Sequence, residues 1–171
     1  MWRNTYSGFL ILAFIVSACS NEEPKREPKW TRVESTKLNK AIAEEEKVDI
    51  QLFIERQGTP FITTGSGLNY SFIYDSIGEP IKSGRLAFVE FEMKTLEGET
   101  LYASQEGELQ EFRVDRSNIE TGVQEAIKYM SLGDHCRIIV PSHLGHGLTG
   151  DHDKIPPFTP LVIDLKLKEI R

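Results

Sequence analysis

The segment that most constrains the fold is the stretch "IPPFTPLVIDLKL", residues 155–167. After its third proline, apolar and polar residues alternate, and this period of two predicts a half-buried β-strand. One face of that strand would carry Leu161, Ile163, Leu165 and Leu167, and the other would carry Asp164, Lys166 and Lys168. Proline has no N–H to donate to a sheet, so Pro156, Pro157 and Pro160 predict a loop outside the sheet directly before its closing strand.

Shorter runs of the same kind fill the middle of the chain. Residues 61–64, 68–75, 85–95, 99–104 and 110–114 are predicted strands, and glycine-containing turn signals separate them. In "RLAFVEFEMKT" the alternation places Ala87, Val89, Phe91 and Met93 on the core face. The strand "DHCRIIV" follows later, with Cys136, Ile138 and Val140 on one face.

Two segments have helical spacing instead. Residues 31–57 place apolar side chains three and four apart, and Gly58-Thr59-Pro60 ends the pattern. Residues 120–130 form a shorter helix with Val123, Ala126, Ile127 and Met130 on one stripe. The sequence therefore predicts an α+β fold: an antiparallel sheet against one short helix, preceded by an N-terminal helix. That first helix could pack on the domain, pair with another subunit or act as a spacer.

Residues 1–18 are typical of a signal peptide that directs a protein to export. Arg3 precedes an apolar core of residues 9–16 that is too short to span a bilayer as a helix, and small residues follow it. "IVSAC" resembles the lipobox of bacterial lipoproteins, which implies acylation of Cys19 and a lipid-anchored protein of the cell envelope. An ordinary secretory signal is the alternative. The predicted organisation is a signal peptide at 1–18, a polar tether at 19–30, a helix at 31–58 and a domain at 59–171.

Charge and cysteine content narrow the function further. The formal net charge of −6 favours solubility and argues against nucleic acid as a partner. With Cys19 acylated, Cys136 would be the one remaining thiol, so no intramolecular disulfide could form. Its place on the apolar face of a strand predicts a buried, unreactive cysteine.

Three stretches together carry a family resemblance. "VEFEMKTLEGETLYAS", "TGVQEAIKYMSLGDHCRIIVPSHLGHG" and "KIPPFTPLVIDLKLKEI" resemble, in this order, the FKBP type of peptidyl-prolyl cis–trans isomerase over residues 66–171. A lipobox and a helix ahead of such a domain also resemble the gliding-motility-associated isomerase lipoproteins. The resemblance implies an FKBP-like sheet wrapped on the short helix, no cofactor or metal, and proline-containing polypeptides as clients in the envelope.

The resemblance also implies which residues form the site. Rotation about an X-Pro bond needs neither a nucleophile nor a metal, but an apolar cup that excludes water and fits a twisted amide. The proline loop would shape one rim of that cup. The implied catalytic residues are Phe91, Leu101, Tyr102, Phe112, Ile119, Glu120 (through its backbone amide), His146 and Ile155, with Val123 and Ile163 as floor and wall.

Several of these positions depart from the family pattern. Tyr102 stands where the family usually has an aspartate, Gln110 replaces an aromatic residue, and Val123 replaces the tryptophan of the pocket floor. His146 replaces a tyrosine donor and Ile163 a phenylalanine. These changes keep weak catalysis, or binding without turnover, as open outcomes.

Two further interpretations follow from the residues. A binding or chaperone module could hold proline-bearing segments without isomerising them. A metal site is the other alternative, because "HLGHGLTGDHD" places His143, His146, Asp151, His152 and Asp153 within a short loop. The glycines argue against the helix that would bring His143 and His146 together.

Overall fold

The computed structural model describes residues 31–105 and 107–171. The predicted signal peptide, the lipobox with Cys19 and the tether all lie outside these residues. Within the described part of the chain, no helix is both long and apolar enough to cross a membrane.

The described residues form two α-helices and seven strands. The elements are α1 (Arg32–Gln57), β1 (Ile62–Thr63), β2 (Asn69–Tyr74), β3 (Leu86–Lys94), β4 (Thr100–Ala103), β5 (Gln110–Arg113), α2 (Thr121–Ala126), β6 (His135–Val140) and β7 (Leu161–Ile170). A 3-10 turn, Ile127–Tyr129, extends α2, and a second one, Ser142–Leu144, follows β6. The predicted α+β architecture is confirmed, with the strands in the expected places.

All strands join one antiparallel sheet in the order β1-β2-β6-β7-β3-β4, and β5 pairs with β3. One edge of β3 pairs with β7 over most of its length. Its other edge is shared, because β5 pairs with Leu86–Val89 and β4 with Glu92–Lys94. Phe91 lies between the two partners, where its N–H donates to Ser104 Oγ at 3.0 Å and its carbonyl accepts from Ser104 N at 2.9 Å.

The core lies between the sheet and α2. The predicted stripe of the short helix is buried, with Val123, Ala126, Ile127 and Met130 against the sheet. Leu161, Ile163, Leu165 and Leu167 of β7 are buried, and so are Ala87, Val89 and Met93 of β3. Burial raises the pKa of the Cys136 thiol to about 12, which agrees with an unreactive cysteine.

The helix α1 begins and ends at strong local signals and packs on the domain. A capping box joins Thr31 and Glu34 at its start, and Gly58 adopts a left-handed conformation after its end. Ile50 is buried, and the buried carboxylate of Glu46 accepts a hydrogen bond from Ser142 N at 2.8 Å. Arg137 bonds to Gln57 at 3.2 Å. Of the three roles left open for this helix, the structure shows packing against the domain.

Candidate functional site

A cavity of about 210 Å³ opens between β3, β5, the start of α2 and the inner face of β7. Its walls are mainly apolar, and the polar groups are confined to three side chains. The lining residues are Val89, Phe91, Met93, Tyr102, Gln110, Phe112, Ile119, Glu120, Val123, Ile163 and Leu165. A prolyl ring and part of its amide would fit a space of this size.

The walls follow from strand periodicity. Val89, Phe91 and Met93 alternate along β3, so all three side chains project from one face. Gln110 and Phe112 do the same on β5, which pairs with β3. Phe112 is 4% exposed and therefore belongs both to the wall and to the core.

The loop between β5 and α2 is fixed by the buried side chain of Gln124. Its Oε1 accepts a hydrogen bond from Asp115 N at 2.7 Å, and its Nε2 donates to Ser117 O at 3.0 Å. Asp115 has a positive φ of 61°, a conformation unusual for a residue with a side chain. The loop held in this way presents Ile119 and Glu120 to the cavity.

Tyr102 links the cavity wall to the loop before β7. Its hydroxyl donates to Asp151 Oδ2 at 2.5 Å, and Asp153 Oδ2 lies 3.3 Å away. Oδ1 of Asp151 accepts from the backbone N–H groups of Asp153 and Ile155 at 2.9 and 2.7 Å. The bond to Tyr102 is the main reason that the pKa of Asp151 is lowered to about 2, and the same bond raises the pKa of Tyr102 to about 12.

A second polar contact involves Glu120 and His146. Glu120 Oε1 lies 3.0 Å from His146 Nε2, and both side chains are partly buried. His146 also lies close enough to Asp151 to lower the pKa of that carboxyl by its charge. Glu120 precedes α2 as its N-cap residue, but its side chain makes no capping bond to the helix.

The sequence comparison decides which family this architecture represents. Residues 78–168 match the model of the FKBP-type peptidyl-prolyl cis-trans isomerase family. The chain belongs to this family. The matched residues include every residue that lines the cavity.

A curated relative of this FKBP-type chain also carries the family name. The FKBP-type 22 kDa peptidyl-prolyl cis-trans isomerase of Escherichia coli is 32% identical over 110 residues, 63% of this chain and 52% of the relative. The matched part thus spans about half the length of that curated relative.

Two solved structures share the fold. The crystal structure of FkpA from Escherichia coli has a TM-score of 0.66 at 24% identity, covering 81% of this chain and 64% of that one. A peptidyl-prolyl cis-trans isomerase from Pseudomonas syringae pv. tomato has a TM-score of 0.65 at 23% identity, covering 77% and 94%. The predicted FKBP-like fold and FKBP-type family are confirmed.

The structure brings most of the predicted FKBP site residues together. Phe91, Tyr102, Phe112, Ile119, Glu120, Val123 and Ile163 line the cavity. Leu101 and Ile155 do not; both are buried in the core beside it. His146 reaches the cavity through Glu120 and does not line it. The catalytic roles assigned to these residues stay predictions.

Sequence reasoning left four lining residues out of the site. Val89 and Met93 alternate with Phe91 on the predicted core face of β3, so the same pattern can assign them to the wall. The family resemblance identifies Gln110 only as the replacement of an aromatic residue. Leu165 lies on the predicted buried face of β7, two residues after Ile163.

The proline loop meets the cavity differently from the prediction. Neither Pro156, Pro157 nor Pro160 lines it, and the loop is joined to the wall through Asp151 instead. Phe158 of the same loop lines a separate groove of about 490 Å³, whose other wall is α1. The prolines therefore shape the backbone path of the loop and do not form the lip itself.

His143 and His146 of the 143–153 loop have separate partners. His143 Nε2 lies 3.0 Å from Ser66 O, whereas His146 contacts Glu120. Among residues 31–105 and 107–171, no three histidine, cysteine or acidic side chains gather in a geometry that could hold a metal ion. The geometry gives the metal-site alternative no support.

Proposed function

We propose that this protein is a peptidyl-prolyl cis–trans isomerase that acts on X-Pro bonds of exported polypeptides. The observation that carries the proposal is the apolar cavity of about 210 Å³ within the part of the chain that matches the FKBP family. The 22 kDa relative from Escherichia coli is an FKBP-type peptidyl-prolyl cis-trans isomerase, and the cavity supplies the kind of surface that this reaction requires.

The chemistry needs only a suitable environment for a twisted amide. Rotation disrupts amide resonance and meets a barrier of about 18–20 kcal/mol in water. A site that excludes water and contacts the ring on several sides favours the twisted, less dipolar state over either planar form. Phe91, Phe112 and Ile119 provide such contacts.

One backbone group could hold the substrate in register. Within the described residues, the N–H of Glu120 forms no hydrogen bond, although it lies at the start of α2 beside the cavity. A substrate carbonyl could accept a bond from it. The family resemblance implies the same role for this amide.

A direct exchange measurement tests the activity. Magnetisation exchange between the cis and trans signals of a short X-Pro peptide should be accelerated by the full chain well beyond the uncatalysed rate, whose time constant is roughly tens of seconds. Phe112→Leu keeps an apolar wall but removes the ring and should lower kcat/KM. A folded chain that gives no acceleration at any concentration would refute the proposal.

The proposal extends to a lipid anchor in the cell envelope. Residues 1–18 have the composition of an export signal, and "IVSAC" resembles a lipobox that ends at Cys19. A lipobox and a helix ahead of an FKBP-type domain resemble the gliding-motility-associated isomerase lipoproteins, and on this resemblance the proposal includes a role in gliding motility. An anchored isomerase would act on exported or outer-membrane proteins whose folding waits for proline isomers.

Labelling with a fatty acid analogue tests the anchor. The wild-type chain should incorporate the label and fractionate with membranes, and Cys19→Ser should abolish both without changing the exchange rate of the purified domain. A wild-type chain that is exported but unlabelled would support an ordinary secretory signal. Colony spreading of a deletion strain, with and without the Cys19→Ser gene, tests the link to gliding.

The substitutions in the cavity wall favour a second candidate function, which is binding of proline-containing segments without isomerisation. Val123 occupies the floor position and Gln110 brings an amide into the wall, so part of the apolar contact expected of the family is missing. Such a cup could bind proline-containing segments without turning them over. Peptide binding that saturates while the exchange rate stays uncatalysed would identify this binding module.

A further inference from the structure

Among the described residues that line the cavity, one side chain is a carboxylate. It belongs to Glu120, and the other polar lining residues are Tyr102 and Gln110. The Glu120 side chain is 18% exposed, so water screens its charge less than it would screen a charge on the open surface. A charged group of a bound peptide next to the prolyl ring would therefore meet this carboxylate at reduced screening.

Acidic side chains outnumber basic ones around the opening, or mouth, of the cavity. Asp151 and Asp153 lie within hydrogen-bonding reach of the Tyr102 hydroxyl, on the wall that Tyr102 forms. Among the described residues, the basic side chains with contacts here are Lys154, whose Nζ lies 4.8 Å from the centre of the Tyr102 ring, and His146, which contacts Glu120. This group therefore holds three carboxylates, one ammonium group and one imidazole.

Both basic side chains already have partners. Lys154 Nζ donates to Leu101 O at 3.2 Å, and His146 Nε2 contacts Oε1 of Glu120. Within the described residues, the second oxygen of Glu120 forms no hydrogen bond. That oxygen can accept a hydrogen bond from a substrate.

We propose that Glu120, supported by the Asp151 carboxylate, determines specificity by selecting substrates in which a lysine or arginine flanks the proline. The inference rests on the proposed isomerase function and names its substrate class. A lysine or arginine beside the proline is attracted by the partly desolvated carboxylate of Glu120 at the mouth. An aspartate or glutamate in the same place is repelled by it. Apolar contacts still bind the ring itself.

The test uses one host peptide with a single proline. Lysine, glutamine or glutamate is placed before the proline in one series and after it in another, and kcat/KM is measured by magnetisation exchange with the full chain. In at least one series, the lysine peptide should exceed the glutamine peptide by about fivefold, and the glutamate peptide should be the poorest. The preference should shrink at about 1 M salt.

Two variants and a matched control locate the effect. Glu120→Gln should bring the ratio of kcat/KM between the lysine and glutamine peptides close to one, whatever its effect on the absolute rates, and Glu120→Lys should reverse the order of the charged peptides. Glu111→Gln makes the same change of charge at an exposed β5 position that does not line the cavity, and it should keep the preference. Thermal melting confirms that each variant is folded.

The outcomes separate this inference from the proposed function. Equal kcat/KM for the charged and neutral peptides in both series, with clear turnover, would overturn the specificity of Glu120 and leave the isomerase intact. Absence of turnover for every peptide would refute the proposed isomerase function. The dissociation constants of the same peptides would then show whether the protein binds the lysine peptide more tightly than the glutamate peptide, and equal constants would reject the role of Glu120. A lysine preference that Glu120→Gln leaves unchanged would also reject the inference.

Discussion

The Tyr102 hydroxyl donates to Asp151 Oδ2 at 2.5 Å and thereby joins β4 to the loop that precedes β7. The two residues stand 49 positions apart in the chain. Lys154, three residues after Asp151, packs over the ring of Tyr102 and bonds to the backbone of Leu101. This loop is therefore attached to the cavity wall at two neighbouring points.

The Tyr102–Asp151 bond predicts a pH-dependent difference in stability between the wild type and Tyr102→Phe. The bond lowers the pKa of Asp151 to about 2, so its contribution is fully present above the ordinary value of 3.8 and is lost as the pH falls towards 2. It also raises the pKa of Tyr102 from 10.0 to about 12, so the contribution is lost again as the pH rises through that range.

Urea titrations at several pH values measure this difference. Around neutral pH, the free energy of unfolding of the wild type should exceed that of Tyr102→Phe by an amount that does not change with pH. This difference should nearly disappear at about pH 2. Asp151→Asn should show the same loss at neutral pH. A gap that stays unchanged at the acid end would mean that the bond does not contribute to stability.

Truncating the aromatic wall should weaken both stability and activity. Phe112 is 4% exposed, and Phe112→Ala removes a buried ring from the core and from the cavity wall. We expect a loss of about 3 kcal/mol in the free energy of unfolding and a large fall in kcat/KM. Phe112→Leu should recover most of the stability but only part of the activity, as denaturant titration and exchange spectroscopy would show. Equal activity of the wild type and Phe112→Ala would place the site elsewhere.

Two glycines of the proline loop form a matched pair. Gly150 and Gly147 have φ values of 66° and 60°, so alanine is strained at both. A Cβ at Gly150 would also lie 2.0 Å from the Ile155 carbonyl oxygen, whereas a Cβ at Gly147 meets open space. Gly147→Ala should cost about 1 kcal/mol, and Gly150→Ala should cost more because the loop backbone must move.

The activity of this pair tests the role of the loop. Gly150→Ala should displace Asp151 from Tyr102 and lower kcat/KM more than Gly147→Ala does, and the chemical shifts of Tyr102 would report the displacement. If both variants retain the wild-type rate, the loop geometry is not important for turnover.

The contact between Glu46 and Ser142 predicts how α1 is held. Glu46 is buried, and its carboxylate is the partner of the Ser142 N–H at 2.8 Å. Glu46→Ala leaves that donor unsatisfied and should destabilise the packing of α1 by about 1–3 kcal/mol. Hydrogen exchange should become faster in the second half of α1. The exposed neighbour serves as the control, since Glu45→Ala should leave these exchange rates unchanged.

Periodic segments were predictable from sequence because a single local signal specifies each of them. Predicted helix 31–57 and observed α1 differ by one residue, since Thr31 is the cap and Gly58 the stop. The alternation in β7 identified its buried face correctly. Phe88 shows the limit of the method: alternation put it opposite the core, yet it is 9% exposed because Arg171 covers its ring at 4.7 Å.

The polar contacts of the site were not predictable in this way. The Tyr102–Asp151 and Glu120–His146 pairs join distant parts of the chain, and no periodic pattern records such a pairing. The role of Gln124 was also missed, because a glutamine in a helix gives no sign that it fixes the preceding loop. Family resemblance supplied most of the cavity residues, but their hydrogen-bond partners required the structure.

The seat of α1 on the domain has a practical consequence for dissecting this protein. A chain shortened to residues 59–171 would lose Glu46 and expose the Ser142 amide, the apolar groove beside Phe158 and part of the sheet all at once. Ser142 begins the turn that leads to His146 and the proline loop. If such a shortened chain isomerises poorly, the cause can be the altered position of the loop after removal of α1. Its low rate would then give no information about the substituted cavity residues such as Val123 and Gln110.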